Sequence, residues 1–154
     1  MRKFILQERD RELEFKIQSL AHKKNIAAKP FILDSENELM ICEFLEGEHK
    51  KSLSREELKK IVVILKKLHV IKIESEAIDL EALFTVQNRE VKEAFAVLEN
   101  YPKEMLLCHN DLNPKNIIFS NKNVKFIDWE FAGINDLYFD LACVSVEFDL
   151  NVVD

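Results

Sequence analysis

The stretch His109-Asn110-Asp111-Leu112-Asn113-Pro114-Lys115-Asn116 runs into the apolar segment Ile117-Ile118-Phe119, and then Val124-Lys125-Phe126-Ile127-Asp128 follows. No other part of the chain restricts its fold as much. Residues 117–120 and 124–128 are rich in β-branched and aromatic side chains, and Asn121-Lys122-Asn123 between them is a good turn. The pattern predicts an antiparallel hairpin that carries Asp128 back beside Asn116. Asp and Asn also serve as plain turn formers. A second carboxylate delivered to the mouth of the first loop reads more naturally as a site.

The side chains in this stretch suit one kind of chemistry. Asp111 can accept a proton from an attacking hydroxyl. Asn116, five residues on, can bind a magnesium ion through its side-chain oxygen, and Asp128 can bind the same metal from the opposite strand. Phosphoryl transfer asks little covalent chemistry of a protein, so a few oxygen ligands and one base, held rigidly, suffice. His-x-Asp-x-x-x-x-Asn alone is short enough to arise by chance; the strand context is what sharpens it.

The whole chain sets the bounds. Its 154 residues allow one domain, or one domain with a small extra lobe. A hydrophobic content of 47% with eleven Phe supports a packed core rather than disorder. The net charge of −6 argues against nucleic-acid or anionic-membrane partners. The pairs Lys50-Lys51, Lys59-Lys60 and Lys66-Lys67 read as solvated faces. No apolar run approaches the roughly 18 residues of a membrane span, and the N-terminus has no signal-peptide core, so a cytoplasmic location is expected. Cys42, Cys108 and Cys143 are odd in number, lack short spacings and sit among apolar residues, which favours buried free thiols. His22, His49, His69 and His109 show no metal-ligand spacing with them, which gives a zinc site little support.

Along the chain, residues 3–7 read as a short strand and 8–24 as a helix with Leu13, Ile17, Leu20 and Ala21 on one face. Residues 31–34 and 38–45 read as two strands, and Glu46-Gly47-Glu48 as a hinge. Ser54-Arg55-Glu56-Glu57 is a capping box that opens a helix presenting Leu58, Ile61, Val62, Leu65 and Leu68 to a core, with His69 as a C-terminal cap or surface residue. A further helix is expected over 90–100 with Val91, Phe95 and Leu98 inward. Residues 105–108 form a strand leading into the His109 loop. The expected fold is α+β: a partial N-terminal lobe over 1–45, built of a helix and antiparallel strands, then a mainly helical C-terminal lobe over 46–154 carrying the hairpin.

Cys108-His109-Asn110-Asp111-Leu112, Phe126-Ile127-Asp128-Trp129-Glu130-Phe131-Ala132-Gly133 and Tyr138-Phe139-Asp140-Leu141-Ala142 resemble the aminoglycoside phosphotransferase and choline/ethanolamine kinase family, a branch of the protein-kinase-like fold, and look most like bacterial choline kinases. The resemblance implies that Asp111 is the catalytic base, that Asn116 and Asp128 are metal ligands, and that Asp140 braces the loop. By the same resemblance, His109 holds the loop by hydrogen bonds rather than taking part in the chemistry. It also implies that Glu43-Phe44-Leu45 is a linker whose backbone meets adenine. Glu14, with Glu12 as a rival, would orient a phosphate-binding Lys or Arg on a strand. Glu130 reads equally as a metal or substrate contact and as a solvated charge. Trp129, Tyr138 and Phe139 offer a quaternary ammonium an aromatic surface, although core is the plainer reading for all three.

ATP and magnesium are the implied cofactors, and choline or a similar amino alcohol the implied acceptor. An aminoglycoside acceptor is the alternative within the family. The chain also departs from the pattern: it has only two glycines, Gly47 and Gly133, and neither belongs to a Gly-rich phosphate loop. No basic residue stands clearly on the strand opposite Glu14, and little follows Asp-Leu-Ala. The chain therefore reads as the centre of a kinase shortened at both ends. A non-catalytic remnant is then the rival reading, and a homodimer or partner chain is a possible source of the missing parts.

Overall fold

The structure, a computed structural model, describes residues 10–82, 88–121 and 123–150. Helix α1 (Arg11–Lys23) starts where Asp10 accepts the Leu13 N–H at 2.8 Å, with Glu12 and Glu14 in the first turn complementing the helix dipole. Two residues expected on its inner face, Ile17 and Ala21, are fully buried; Leu13 and Leu20 pack against the core from its margin. The same face also buries two polar side chains, Glu14 and Gln18. The strand expected over 3–7 lies outside the described residues.

Strands β1 (Pro30–Asp34) and β2 (Leu39–Cys42) pair antiparallel, with an irregularity between Pro30 and Ile32. β2 stops three residues earlier than the pattern suggested: beyond Pro30 and Cys42 only half of the next rung is backbone, with the Glu43 N–H donating to the Lys29 carbonyl at 2.7 Å while the Glu43 carboxylate accepts the Lys29 N–H at 3.1 Å. The next segment is docked on the hairpin rather than free. Glu48 and Phe119 exchange two backbone hydrogen bonds of 2.9 Å, and a Cβ on Gly47 would lie 2.5 Å from both Ile118 Cγ2 and the Phe119 carbonyl oxygen. Glycine is needed here for close approach. Gly47→Val is expected to destabilise the protein by about 1–3 kcal/mol in urea unfolding, by forcing the two backbones apart.

Helix α2 (Arg55–His69) opens with the expected capping box: Ser54 Oγ accepts the Glu57 N–H at 3.3 Å, and Glu57 Oε2 accepts the Ser54 N–H at 2.8 Å. The buried stripe is Ile61, Ile64, Leu65 and Leu68, the i, i+3, i+4, i+7 set. Val62, expected inside, lies one residue round the helix from that stripe and is 37% exposed. The Ser54 backbone bond, its hydroxyl and Lys50 together hold the Glu57 carboxyl down at about 2, against an ordinary 4.5. A depressed carboxyl favours the fold above its unfolded value, and that contribution is lost as pH falls from about 4.5 toward 2. Acid titration of thermal stability should therefore show a smaller decline in that window for Glu57→Gln, from a lower starting point.

α3 (Arg89–Leu98) forms with Asn88 as its N-cap but buries nothing: Val91 and Phe95 are half-buried and Leu98 is exposed. Phe95 and Leu98 border a cavity lined also by Tyr101, Met105 and Tyr138. β3 (Met105–Cys108) pairs antiparallel with β6 (Gly133–Asp136), and the hairpin strands β4 (Ile117–Phe119) and β5 (Val124–Phe126) pair in the register Ile117 to Phe126. α4 (Leu137–Glu147) closes the described chain, with Asp136 as N-cap. A single apolar cluster runs through Ile17, Ile61, Leu68, Leu107, Ile117, Phe126, Trp129 and Val144, so α1, α2, β3, the hairpin and α4 share one core. Among the described residues, no helix is long and apolar enough to cross a membrane.

Candidate active site

The loop between β3 and β4 carries the residues on which the sequence reading rested. Asn110 takes φ 66°, a left-handed backbone that Asn tolerates better than most residues. Pro114 starts a 3₁₀ turn over Pro114–Asn116, with Asn113 accepting the Lys115 N–H at 2.9 Å. That turn folds Asn116 back on Asp111: its Nδ2 donates to the Asp111 carbonyl at 2.9 Å and to Asp111 Oδ2 at 2.6 Å, while Asn113 Nδ2 donates to Oδ1 at 3.1 Å. The bonds fix the Asp111 carboxylate and settle which way the buried Asn116 amide points. Its Oδ1 is left as the oxygen available to a cation.

The hairpin then returns the chain to the loop. The Ile127 N–H donates to the Asn116 carbonyl at 3.0 Å, so Asp128 follows directly on a backbone contact with Asn116. Asp128 is exposed and adopts φ 65°. His109 opens the same loop, two residues before Asp111. It is fully buried, packed 4.8 Å from Trp129 and 5.6 Å from Phe126 by ring centroid. Its Nε2 is 3.0 Å from the Ile127 carbonyl, which can only accept, so Nε2 carries the proton. Burial pushes the His109 pKa down, opposed by the charge of Asp140, the Ile127 bond, and the charges of Asp111 and Asp128. Neutral His109 thus holds the Asp128 segment by one hydrogen bond.

Behind this loop stands Asp140, wholly buried in the first turn of α4. Its Oδ1 accepts the Asn110 N–H at 2.9 Å, and Oδ2 accepts the His109 N–H at 3.1 Å. His69, the last residue of α2, adds a contact from Nε2 to Oδ2 at 3.1 Å and is only 12% exposed. His69 is therefore neither a helix cap nor a surface residue. Sequence spacing held no sign of this, since 71 positions separate the partners. His69 Nε2, Cys108 Sγ and an Asp140 oxygen lie within 4.8 Å of one another. Asp140 already accepts three N–H donors, and burial pushes the Cys108 thiol well up, so the trio is a hydrogen-bonded brace.

The residues expected around nucleotide are placed unevenly. Glu14 is 7% exposed and paired with Arg11 at 2.7 Å, whereas its rival Glu12 is exposed. Among the described residues the basic partner of Glu14 is Arg11, one turn earlier in the same helix; the strand expected over 3–7 lies outside them. The Arg11 guanidinium is raised first by its hydrogen bond to Glu14, with smaller contributions from the charges of Glu14 and Glu130. Glu130 thus faces the start of α1 closely enough for its charge to be felt there. Glu43 also lies 3.8 Å from Lys125, Phe44 is 87% exposed, and Leu45 lines a cavity of about 820 Å³ between the 45–48 segment and the hairpin. Trp129 is 1% exposed with its indole N–H on the Phe126 carbonyl, so it is core; Tyr138 is exposed and Phe139 half-buried. Two polar side chains that sequence reasoning passed over, Asn110 and Asn135, join the 109–116 loop to β6: Asn135 Nδ2 donates to Asn110 Oδ1 at 2.8 Å.

Residues 5–152 match the model of the phosphotransferase enzyme family. The chain belongs to that family. Protein LicA of Haemophilus influenzae is 42% identical over 59 residues, 37% of this chain and 22% of that protein. Human ethanolamine kinase 1 is 47% identical over 54 residues, 34% of this chain and 12% of that protein. A crystal structure of choline kinase LicA from Streptococcus pneumoniae matches 98% of this chain and 62% of its own at a TM-score of 0.76 and 23% identity. The chain thus spans less than a quarter of the curated relatives it matches. This family member has the expected mixed α+β, protein-kinase-like fold.

Proposed function

We propose that the protein is an ATP- and magnesium-dependent phosphotransferase that moves the γ-phosphate to the hydroxyl of a small amino alcohol such as choline. The observation that carries the proposal is the cluster at the foot of the hairpin: Asp111 and Asn116 joined at 2.6 Å, and Asp128 brought in by the bond from Ile127 to Asn116. Asp111 accepts the proton of the acceptor hydroxyl as that oxygen attacks the γ-phosphorus, and the nucleoside diphosphate leaves. Its carboxylate is held for this task by Asn113 and Asn116. Asn116 Oδ1 and the Asp128 carboxylate are hard oxygen donors suited to magnesium, which when bound supplies neutralisation of phosphate charge. His109 keeps the two segments in register from a dry position. Glu14 and Arg11 are the charged pair that would meet the phosphates in this reading, and Glu43, Phe44 and Leu45 offer linker backbone to a base. A LicA structure is known in complex with AMP, and its similarity to this chain supports the use of a nucleotide.

A second reading, binding of metal–nucleotide without turnover, is favoured by the placement of the two glycines. Gly47 packs on the hairpin and Gly133 pairs in β6, so neither belongs to a phosphate-cradling loop. An aminoglycoside acceptor is the third reading.

The deciding test is ATP consumption with choline, ethanolamine and an aminoglycoside in turn. Turnover with an amino alcohol, falling at least a hundredfold in Asp128→Ala, is the expected result. A thermal shift with Mg-ATP but no turnover above background would instead establish the binding-only reading.

A further inference from the structure

The segment bearing Asp128 is held from both sides by adjacent residues of the 109–116 loop. His109 Nε2 donates to the Ile127 carbonyl, one residue before Asp128. Asn110 Nδ2 donates to the Phe131 carbonyl at 2.9 Å, three residues after it. The orientation of the Asn110 amide is imposed from outside the loop. The Asp136 N–H donates to Asn135 Oδ1 at 2.8 Å, which turns Asn135 Nδ2 toward Asn110 Oδ1. Asn110 must then direct its own Nδ2 at Phe131. Asn135 is 2% exposed, so the start of the relay is shielded from water, whereas the bond from Asn110 to Phe131 lies at the surface. The relay begins at a fixed backbone N–H in β6 and ends on the Asp128 segment.

We infer that Asn110, oriented by Asn135, is a positioning residue that sets Asp128 at the metal-binding distance from Asn116. Asp128 itself is exposed and left-handed. Its aim depends on where residues 127 and 131 are held. Groups that orient a metal ligand without touching the metal typically govern ten- to a hundredfold of metal affinity. The inference rests on the phosphotransferase reading, since it needs a cation at Asn116 and Asp128.

Asn110→Gly is the informative variant, because glycine adopts φ 66° without strain and removes only the amide bonds. Asn110→Asp keeps the acceptor for Asn135 but cannot donate to Phe131. Mn²⁺ affinity of the full chain, read by the electron paramagnetic resonance of free Mn²⁺ with a non-hydrolysable ATP analogue present, is compared with wild type. Both variants are expected to bind Mn²⁺ ten- to a hundredfold more weakly while metal-free nucleotide binding stays near wild type; Asn110→Gly, which leaves the buried Asn135 Nδ2 unpaired, is expected to melt a few degrees lower. Wild-type Mn²⁺ binding matched by both variants would overturn the inference and leave the phosphotransferase reading standing. Absence of Mn²⁺ binding in wild type would overturn both.

Discussion

Replacing Asp111 by Asn is expected to lower kcat about 10²–10⁴-fold, the usual contribution of a positioned base. The substitution preserves shape and the half-buried setting, and it removes the group that takes the hydroxyl proton. Because Asn113 and Asn116 already donate to both carboxylate oxygens, the variant must rotate one of these amides, a local adjustment that leaves the hairpin in place. KM for ATP should therefore change little, and the loss should fall on the chemical step. Steady-state kinetics with saturating amino alcohol, together with a melting curve matching wild type, would check both halves. A variant retaining most of its kcat would remove Asp111 from the mechanism.

Asp140→Ala should act on stability first. The substitution deprives the His109 and Asn110 N–H groups of their acceptors inside a water-free region, and it strands His69. Leaving buried donors unpaired costs about 1–3 kcal/mol each, and breaking a buried charged network roughly 3–5 kcal/mol in total. For a protein of this size that corresponds to a fall in Tm of roughly 10 °C. His69→Ala removes one contact to the same carboxylate and leaves both backbone bonds, so its effect should be much smaller. Calorimetry on the two variants separates the brace from the residue that merely abuts it.

The elements readable in the sequence were those with local causes. The capping box at Ser54, the two hairpin strands and the strand into His109 each depend on neighbours within a few positions, and each formed where expected. The errors share another origin. Val62 was placed inward because a helical stripe has some angular width, and only the neighbours across the core decide which edge of it is buried. α3 is amphipathic yet buries nothing, because periodicity describes a face and not what covers it. Trp129, by contrast, is core as the plainer reading had it, with its indole N–H on the Phe126 carbonyl. His69 and Asn135 act through partners 71 and 25 positions away, distances at which spacing carries no signal. The Arg11–Glu14 pair, three positions apart in one helix, is a local contact that the reading of Glu14 through the family pattern did not name.

The hairpin that carries Asp128 has both of its borders occupied. Residue 48 bonds the outer side of β4 at Phe119, and residue 27 lies parallel to β5 at Phe126. A two-stranded ribbon standing alone is barely stable and invites pairing with foreign chains; here each side is met at one residue by a neighbouring segment. Among the described residues, the β1–β2 pair leaves Ile32, Leu39 and Ile41 exposed, so strand addition from outside is expected there before it is expected at the hairpin.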